Sequence, residues 1–523
     1  MLAGSPQRED SLMWRDFQFV RRTNPWLQND NAAGLAQFNR DNISVAQLYA
    51  KRDEGGFSDY YQSPESFQAG AQVEAFYRLS SRTVAFGSMS YDNFSGKDMA
   101  GSAFVDPTRR PFDIVEDSLT NTGRKHRDTY RIVGGIGTRI WHNVTAGLRL
   151  DYTAANYAKY KDLRHKNNLL DLTFTAGLSA PIGKYVVVGA NYFYRRNTES
   201  IRFSTYGKND KTYKSLIAYG AFIGQVEGFG SSGLTDKTWE QPFAEDYNGA
   251  AVQLEVKPTA RLSLFNNFRM AHRSGYYGRK SPNTITFTRH QSNDYQYDGR
   301  VSLQTDNALH ILAGSIDVEN LENYFKTYRT LTNESGAAYY EYYDDVKSAN
   351  KVWITWQVAY TADLAIRHEL PLWTLSAGAE GMQRKQTAYV YPYYRRQNLR
   401  NINIYAAAKR HLQLSRGILS IALRADCLRG IHREPFTDLT FATPSDLQTS
   451  PAEMTDYLYR EYDFLTAPRF SLRASAAYSF WLPRARMKCF AKISVANTKA
   501  SELSEYTLGS HRTQLALALG VQF

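Results

Sequence analysis

The sequence predicts an all-β protein: one transmembrane antiparallel β-barrel of about 18 strands, with roughly 16 to 20 as the range. Three observations predict it. Apolar and polar residues alternate with period two through many runs, several of them longer than the roughly 9–11 residues that a tilted strand needs to cross a bilayer. Short and long connections alternate between those runs. No stretch of the 523 residues approaches the roughly 18 consecutive apolar residues of a membrane helix, and the mean hydropathy is −0.50.

Residues 1–42 stand apart from the rest. Trp14, Phe17, Phe19, Asn24-Pro25-Trp26 and Asn31-Ala32-Ala33-Gly34-Leu35 mix aromatic side chains with turn formers. We expect an N-terminal plug or periplasmic segment here, with Asn24, Pro25, Trp26 and Gly34 as a candidate gate. The pattern is loosely similar to the N-terminal hatch of fatty-acid transporter barrels. Met1 to Asp10 lacks the apolar core of a secretory signal, so the leader needed for export is expected to have been removed or to lie upstream of this start.

The barrel is expected over 43–523, with a first strand near 43–51. Phe67, Ala69, Ala71, Val73, Ala75, Tyr77 and Leu79 share one face, opposite Gln68, Gly70, Gln72, Glu74 and Arg78. Val144, Ala146, Leu148 and Leu150 oppose Thr145, Gly147, Arg149 and Asp151. Met487, Cys489, Ala491 and Ile493 oppose Lys488 and Lys492. Lipid wets one face of such a strand and water the other. The stretch 212–224 is also strand-like, adding either a pair to the wall or a hairpin to a loop.

Short links fall near Ser80, Asn143, Gly183, Pro258, Asn307, Glu369, Ser415 and Arg484. Long polar segments lie at 92–126, 156–167, 199–247, 274–292, 319–350, 388–397, 429–467 and 497–509. Barrels of this kind place short turns in the periplasm and long loops outside the cell. The final run from Leu515 alternates strictly. Its Leu519, Val521 and Phe523 resemble the C-terminal signal that the barrel-assembly machinery reads in bacterial outer-membrane barrels.

Composition agrees. The 37 Tyr, 27 Phe and 8 Trp suit a membrane–water boundary, where a ring is apolar and its polar tip is wet. Cys427 near the end of one strand and Cys489 near the start of another are expected at opposite heights, and so unbridged. The net charge of +12 raises a nucleic-acid reading, but Lys and Arg are spread singly and no basic run has aromatic interleaving, so no nucleic-acid partner is expected.

Several stretches resemble an uncharacterised outer-membrane β-barrel family of Bacteroidota. They are Asn24-Pro25-Trp26-Leu27, Asp59-Tyr60-Tyr61-Gln62-Ser63, Gly101 to Pro107, Ala154 to Lys159 with Lys161 to Asn167, and Ala190 to Arg196. The resemblance implies a barrel in the bacterial outer membrane; we expect it to be monomeric, among lipids and lipopolysaccharide. Its setting is similar to that of barrels encoded beside a TonB-dependent receptor and a surface lipoprotein. It implies no activity, substrate or functional residue.

With the apolar face assigned to lipid, the lumen receives Arg78, Arg131, Arg139, Arg149, Arg261, Arg269, Arg300, Arg424, Arg473, Lys488 and Lys492. The carboxylates placed there by the same rule are Glu74, Asp151, Glu255, Asp298 and Asp426. A positive excess in a low-dielectric wall concentrates anions. The plainer reading is a set of charge ladders that hold the interior together. Outside, Tyr339, Tyr340, Tyr342 and Tyr343, with Tyr391 and Tyr393, form a candidate docking loop for a lipoprotein or glycan. The alternative is an aromatic girdle. Glu341, Asp344 and Asp345 lack the spacing of a calcium loop, and no metal or cofactor is expected.

No metal, phosphate-loop or nucleophile motif appears, and we expect no enzyme. The competing catalytic reading places Asp162, His165, Asp426 and His432 at one rim. The expected function is nutrient uptake, as a channel or transporter with a cationic lumen or as an accessory to a TonB-dependent complex. The alternatives are a non-conducting scaffold for surface lipoproteins and a rim hydrolase.

Overall fold

Leu48, Phe67, Val73, Ile132, Leu150, Phe268, Leu312, Val358, Ile421, Leu472 and Leu517 are large apolar side chains that stay exposed. In a protein surrounded by water such a belt is unfavourable; around a closed sheet in lipid it is the required outer surface. The computed structural model describes residues 14–116, 122–207, 211–230, 233–432, 434–446 and 448–523.

In chain order the strands are β1 (Ile43–Glu54), β2 (Glu65–Arg78), β3 (Thr83–Met99), β4 (Asp113–Glu116), β5 (Gly123–Trp141), β6 (Val144–Lys159), β7 (Arg164–Ile182) and β8 (Val186–Ser204). Next come β9 (Lys214–Gly220), β10 (Ile223–Gly228), β11 (Gln241–Val256), β12 (Leu262–Gly278), β13 (Thr286–Gln304), β14 (Ala308–Thr332), β15 (Ala338–Arg367) and β16 (Leu370–Val390). The remainder are β17 (Tyr393–Leu414), β18 (Gly417–His432), β19 (Thr437–Thr440), β20 (Ala452–Glu453), β21 (Arg469–Leu482), β22 (Met487–Ala500) and β23 (His511–Gln522). Leaving out β4, β9, β10, β19 and β20, they form a closed antiparallel barrel of 18 strands.

Closure satisfies every strand edge, which hydrocarbon demands because it offers no hydrogen bonds. The seam runs from Val45 opposite Gln522 to Glu54 opposite Thr513, and Ser44 and Phe523 exchange backbone hydrogen bonds of 2.8 and 3.0 Å. The short turns lie together at the periplasmic end. Two of them use paired residues of positive φ, His142 with Asn143 and His368 with Glu369, the geometry of a two-residue hairpin matched to strand twist. Cys427 is in register with Phe470 and Cys489 with Phe480, roughly 33 Å apart along β21, and both thiols are free.

At the extracellular end several expected loops are strand instead. β14 and β15 contain 25 and 30 residues, β16 and β17 21 and 22. The segment 319–350 is therefore a hairpin with a turn at 333–337, and 388–397 is a tight turn at Tyr391-Pro392. Above the bilayer both faces of a strand meet water, so the alternation that marks a wall strand disappears from the sequence. The stretch 212–224 belongs to the loop hairpin β9–β10, which joins β4 and β20 in a separate four-stranded sheet. The segment 429–467 carries an unexpected helix, Thr455–Thr466.

Candidate functional site

The lumen is occupied from both ends by the chain itself. At the periplasmic end lie residues 14–42, folded as a short helix, Phe17–Thr23, and two 3-10 turns, Pro25–Gln28 and Ala32–Gln37. Asp16 caps the helix by accepting from the Phe19 amide at 3.0 Å, and Asn24 caps the next turn by accepting from the Trp26 amide at 3.0 Å. Pro25 occupies the first position of that turn, where its missing N–H costs nothing. Trp26 is 1% exposed. Its Nε1 donates to Glu255 at 2.8 Å, and its ring meets Phe265 edge-on at 5.3 Å. Gly34 lies flat against the Trp26 ring, where a Cβ would overlap it.

The same close approach recurs on the wall. Cβ atoms on Gly137, Gly147 and Gly177 would overlap Ala32, Ala33 and Asn31. A bare arc of β5, β6 and β7 thus receives the segment's main chain directly. Asn31 Nδ2 donates to the Leu178 and Ala190 carbonyls at 3.1 and 3.3 Å and to Gln253 at 2.9 Å. Ion pairs hold the remaining sides. Arg22 grips buried Asp363 through both nitrogens, at 2.7 and 3.1 Å. Arg21 meets Glu74 at 3.1 Å, Arg15 meets Glu369 at 2.5 Å, and Lys409 meets Asp16 at 2.8 Å. The four candidate gate residues therefore lie within a floor that Arg15, Asp16, Arg21, Arg22, Trp26 and Asn31 attach to several sides of the ring.

The predicted lumenal cations lie on inward-facing positions, with one correction. Arg261 precedes β12 on a periplasmic turn, pairs with Asp306 at 2.7 Å, and is open to solvent. Arg139 and Arg78 sit near the same rim. Half of the others meet a carboxylate. Arg131 pairs with Asp151 at 2.6 Å, Arg424 with Asp426 at 2.5 Å, and Arg149 and Arg269 each reach Asp30 at 3.3 Å. Arg300 donates to the Arg22 carbonyl at 2.6 Å. Lys488 donates to the Arg15 carbonyl at 2.5 Å. Arg473 and Lys492 make no ion pair among the described residues.

At the extracellular end, residues 100–116, the β4–β9–β10–β20 sheet and the 455–466 helix form a cap. Phe104 and Phe112 pack edge-on to Phe243 and Tyr277 in its main apolar cluster. Arg384 of β16 holds the helix through Glu461 at 2.5 and 2.7 Å. Below this, Asp113 accepts from Ser102 and Tyr60 at 2.6 and 2.8 Å. Burial nevertheless pushes its carboxyl up to about 6, and burial likewise raises the Tyr60 phenol.

Between floor and cap lies a cavity of about 430 Å3. Arg109 and Arg110 enter it from the 100–116 loop. Arg109 meets Asp317 at 3.0 Å and Glu319 at 2.8 Å; Arg110 meets Glu199 at 2.6 Å. Arg273 joins Glu319 and Glu245, and Arg195 joins Asp171. Both signs are thus present in near balance. The cationic excess expected for the lumen does not extend to this cavity. The sequence reading missed Glu199, Glu245 and Glu319 because their segments were assigned to loops; on strands, the face rule would have turned them inward.

The tyrosines of the candidate docking loop fall on the β14–β15 hairpin and the Tyr391-Pro392 turn. Tyr342 Oη accepts from the Thr286 amide at 2.8 Å, and Tyr340 packs with Tyr328 against the cap. Tyr339, Tyr343 and Tyr391 are exposed, and Tyr393 is half-buried. Glu341 pairs with Arg329, and Asp345 pairs with Arg289 at 2.7 Å. Among the described residues no group of three or more His, Cys, Asp or Glu side chains could hold a metal.

The rim catalytic constellation is not assembled. His165 is buried, with Nδ1 on Asn167 at 2.9 Å and Nε2 4.0 Å from Glu116. Asp162 pairs with Arg164, and Asp426 with Arg424, in separate networks. The His432 side chain and residues 1–13 of the expected plug lie outside the described residues. Leu519 and Phe523 face outward on β23.

No curated protein matches the chain. Among solved structures it is similar to the outer membrane transporter YddB from Escherichia coli, with 8% identity, 93% of this chain and 81% of that chain covered, and a TM-score of 0.41. It is also similar to BauA, the ferric preacinetobactin receptor from Acinetobacter baumannii, with 9% identity, 92% and 80% covered, and a TM-score of 0.39. These overlaps are loose, and the fold assignment rests instead on the closed strand register. Residues 32–523 match the family of unknown function DUF6850, and the chain belongs to that family.

Proposed function

We propose that the protein is an outer-membrane uptake barrel that binds a small polar solute inside its lumen and does not act as an open pore. The observation that carries this reading is the occupied lumen: a floor and a cap, both made by the chain itself, with charged cavities of about 430 and 420 Å3 left inside. A structural barrel has no need of hydrated charged space at its centre, whereas solute sites are concave and carry a few convergent polar groups. In this reading Asn24, Pro25, Trp26 and Gly34 belong to the gate, and Leu519, Val521 and Phe523 present the lipid-facing signal for assembly.

Liposome swelling with small neutral and charged solutes tests it. The full chain should admit them slowly, and a chain lacking residues 1–42 should admit them fast. A deletion variant that keeps heat-modifiable gel migration yet admits nothing overturns the reading.

One observation favours a second role. Beyond Phe325 and Val346 the β14–β15 hairpin pairs only with itself, and it exposes Tyr339 and Tyr343. Such a ribbon suits docking of a surface lipoprotein or a TonB-dependent receptor, making the barrel an accessory to their uptake complex. Affinity purification from native membranes tests it, with Tyr339→Ser/Tyr343→Ser as the comparison; a barrel recovered alone removes this role.

A further inference from the structure

The second cavity, about 420 Å3, lies at the periplasmic end between the N-terminal segment and the wall of β17, β18, β21 and β22. Basic side chains stand on its two sides, Lys409 and His411 on β17 and Lys488 and Lys492 on β22. Apart from Ile418, the strands between them supply small side chains there, such as Ser420 and Ala477. Register places Lys492 beside Ala477, Ala477 beside Ser420, and Ser420 beside His411. Lys492 and His411 are therefore level, three strand spacings or roughly 14 Å apart across a shallow floor.

The charges here do not cancel as they do in the upper cavity. Asp16 neutralises Lys409 at 2.8 Å, and Glu74 is taken by Arg21. Lys488 is 9% exposed and has only the Arg15 carbonyl, at 2.5 Å. Lys492 has no hydrogen bond or ion pair among the described residues, and the charged groups acting on it, Lys409 and Arg473, are both cations. His411 is 7% exposed. Its Nδ1 meets Ser420 Oγ at 2.7 Å, while its buried Nε2 has no hydrogen-bond partner and stands 3.6 Å from Asp16. Among the described residues Lys488 has Asp16 as its one favourable charge, already shared with Lys409 and His411, and Lys492 faces the lumen with none, so the cavity keeps a positive excess that an anion with several acceptor oxygens would relieve.

We propose that this cavity is an oxyanion site, taking the carboxylate or phosphate group of a small solute between Lys488, Lys492 and His411. Such oxyanions match the arrangement because their several oxygens can accept from different sides of the floor. The proposal rests on the uptake reading only for where the solute goes next, since binding itself requires no transport.

Calorimetric titration of the full chain in detergent tests it. Inorganic phosphate and citrate are added separately at constant ionic strength, with chloride as the reference. Saturable binding of phosphate or citrate, absent for chloride, is expected. Lys492→Gln should weaken it at least tenfold, and the exposed-turn control Lys184→Gln should leave it unchanged. Lys488→Gln should act like Lys492→Gln but also takes one of its two donors from the Arg15 carbonyl, which keeps Gln522 at 2.8 Å, so Lys492→Gln, which removes no internal contact, is decisive. The absence of saturable binding by either anion, or binding undiminished in Lys492→Gln, overturns the proposal. Anion binding without liposome uptake would remove the transport reading and keep this site; uptake without anion binding would do the reverse.

Discussion

Replacing Trp26 by alanine tests whether the N-terminal segment is fixed to the wall. A fully enclosed indole buries about 150–250 Å2, worth roughly 4–6 kcal/mol at about 25 cal/mol/Å2. Truncations of this kind cost about 3–5 kcal/mol in practice. No larger penalty is expected from the lost hydrogen bond, because Glu255 keeps Ser263 at 2.8 Å and Lys257 at 3.0 Å. At about 1.4 kcal/mol per tenfold, local opening of the segment should rise by roughly a hundred- to several-thousandfold. Hydrogen–deuterium exchange read by mass spectrometry on the detergent-solubilised barrel measures this directly. Peptides spanning 24–38 should lose protection by that factor while β11 and β12 keep theirs. Unchanged protection over 24–38, or equal loss throughout the barrel, would refute the idea of a separately anchored floor.

Gly147→Val should push Ala32 and Ala33 off the wall at a cost of about 1–3 kcal/mol and speed exchange over 30–37, whereas Gly134→Ala, with open space around it, should not. Arg110→Gln leaves buried Glu199 without its cation, while Glu245 keeps Arg273, so the 100–116 loop should open about 3–5 kcal/mol more easily, read as faster external proteolysis. Asp113 titrates near 6 in the folded cap against about 3.8 when released, so the cap binds the extra proton between those values. Cap stability should therefore fall as pH rises from about 4 to 6, with Asp113 contributing an amount of order 3 kcal/mol; Asp113→Asn should reduce the slope in proteolysis rates by that share, the remainder coming from buried Asp59 and Glu199, whose carboxyls are also raised. Tyr342→Phe strands the buried Thr286 amide and should raise exchange at the β13 start by an opening cost of about 1–3 kcal/mol.

The wall was legible because lipid and water impose opposite demands on neighbouring residues, as from Phe67 to Leu79. Legibility ended where that contrast ended. Beyond the bilayer, the tip of β14 and the start of β15 read as polar loop, and the inward carboxylates Glu199, Glu245 and Glu319 escaped notice for the same reason. Counting lumenal cations without these partners overstated the positive excess, which persists around Lys488 and Lys492. The 455–466 helix left a weak trace, since Tyr457, Leu458, Glu461 and Tyr462 share a buried side at helical spacing, but it has no side-chain cap to mark its start. Arg109 and Arg110 sit in a loop with no period, and nothing local announces that they turn inward.

At the level of Gly137, Gly147 and Gly177 the wall of β5, β6 and β7 turns no side chain inward. A strand is more pliant at such a level and contributes little packing there itself. The borrowed main chain of Asn31 to Ala33 supplies the missing thickness, so this arc and its lining amount to one layer donated by two distant stretches of sequence. Expelling the lining would leave the shell weakest at that arc, and distortion of an emptied barrel should begin there.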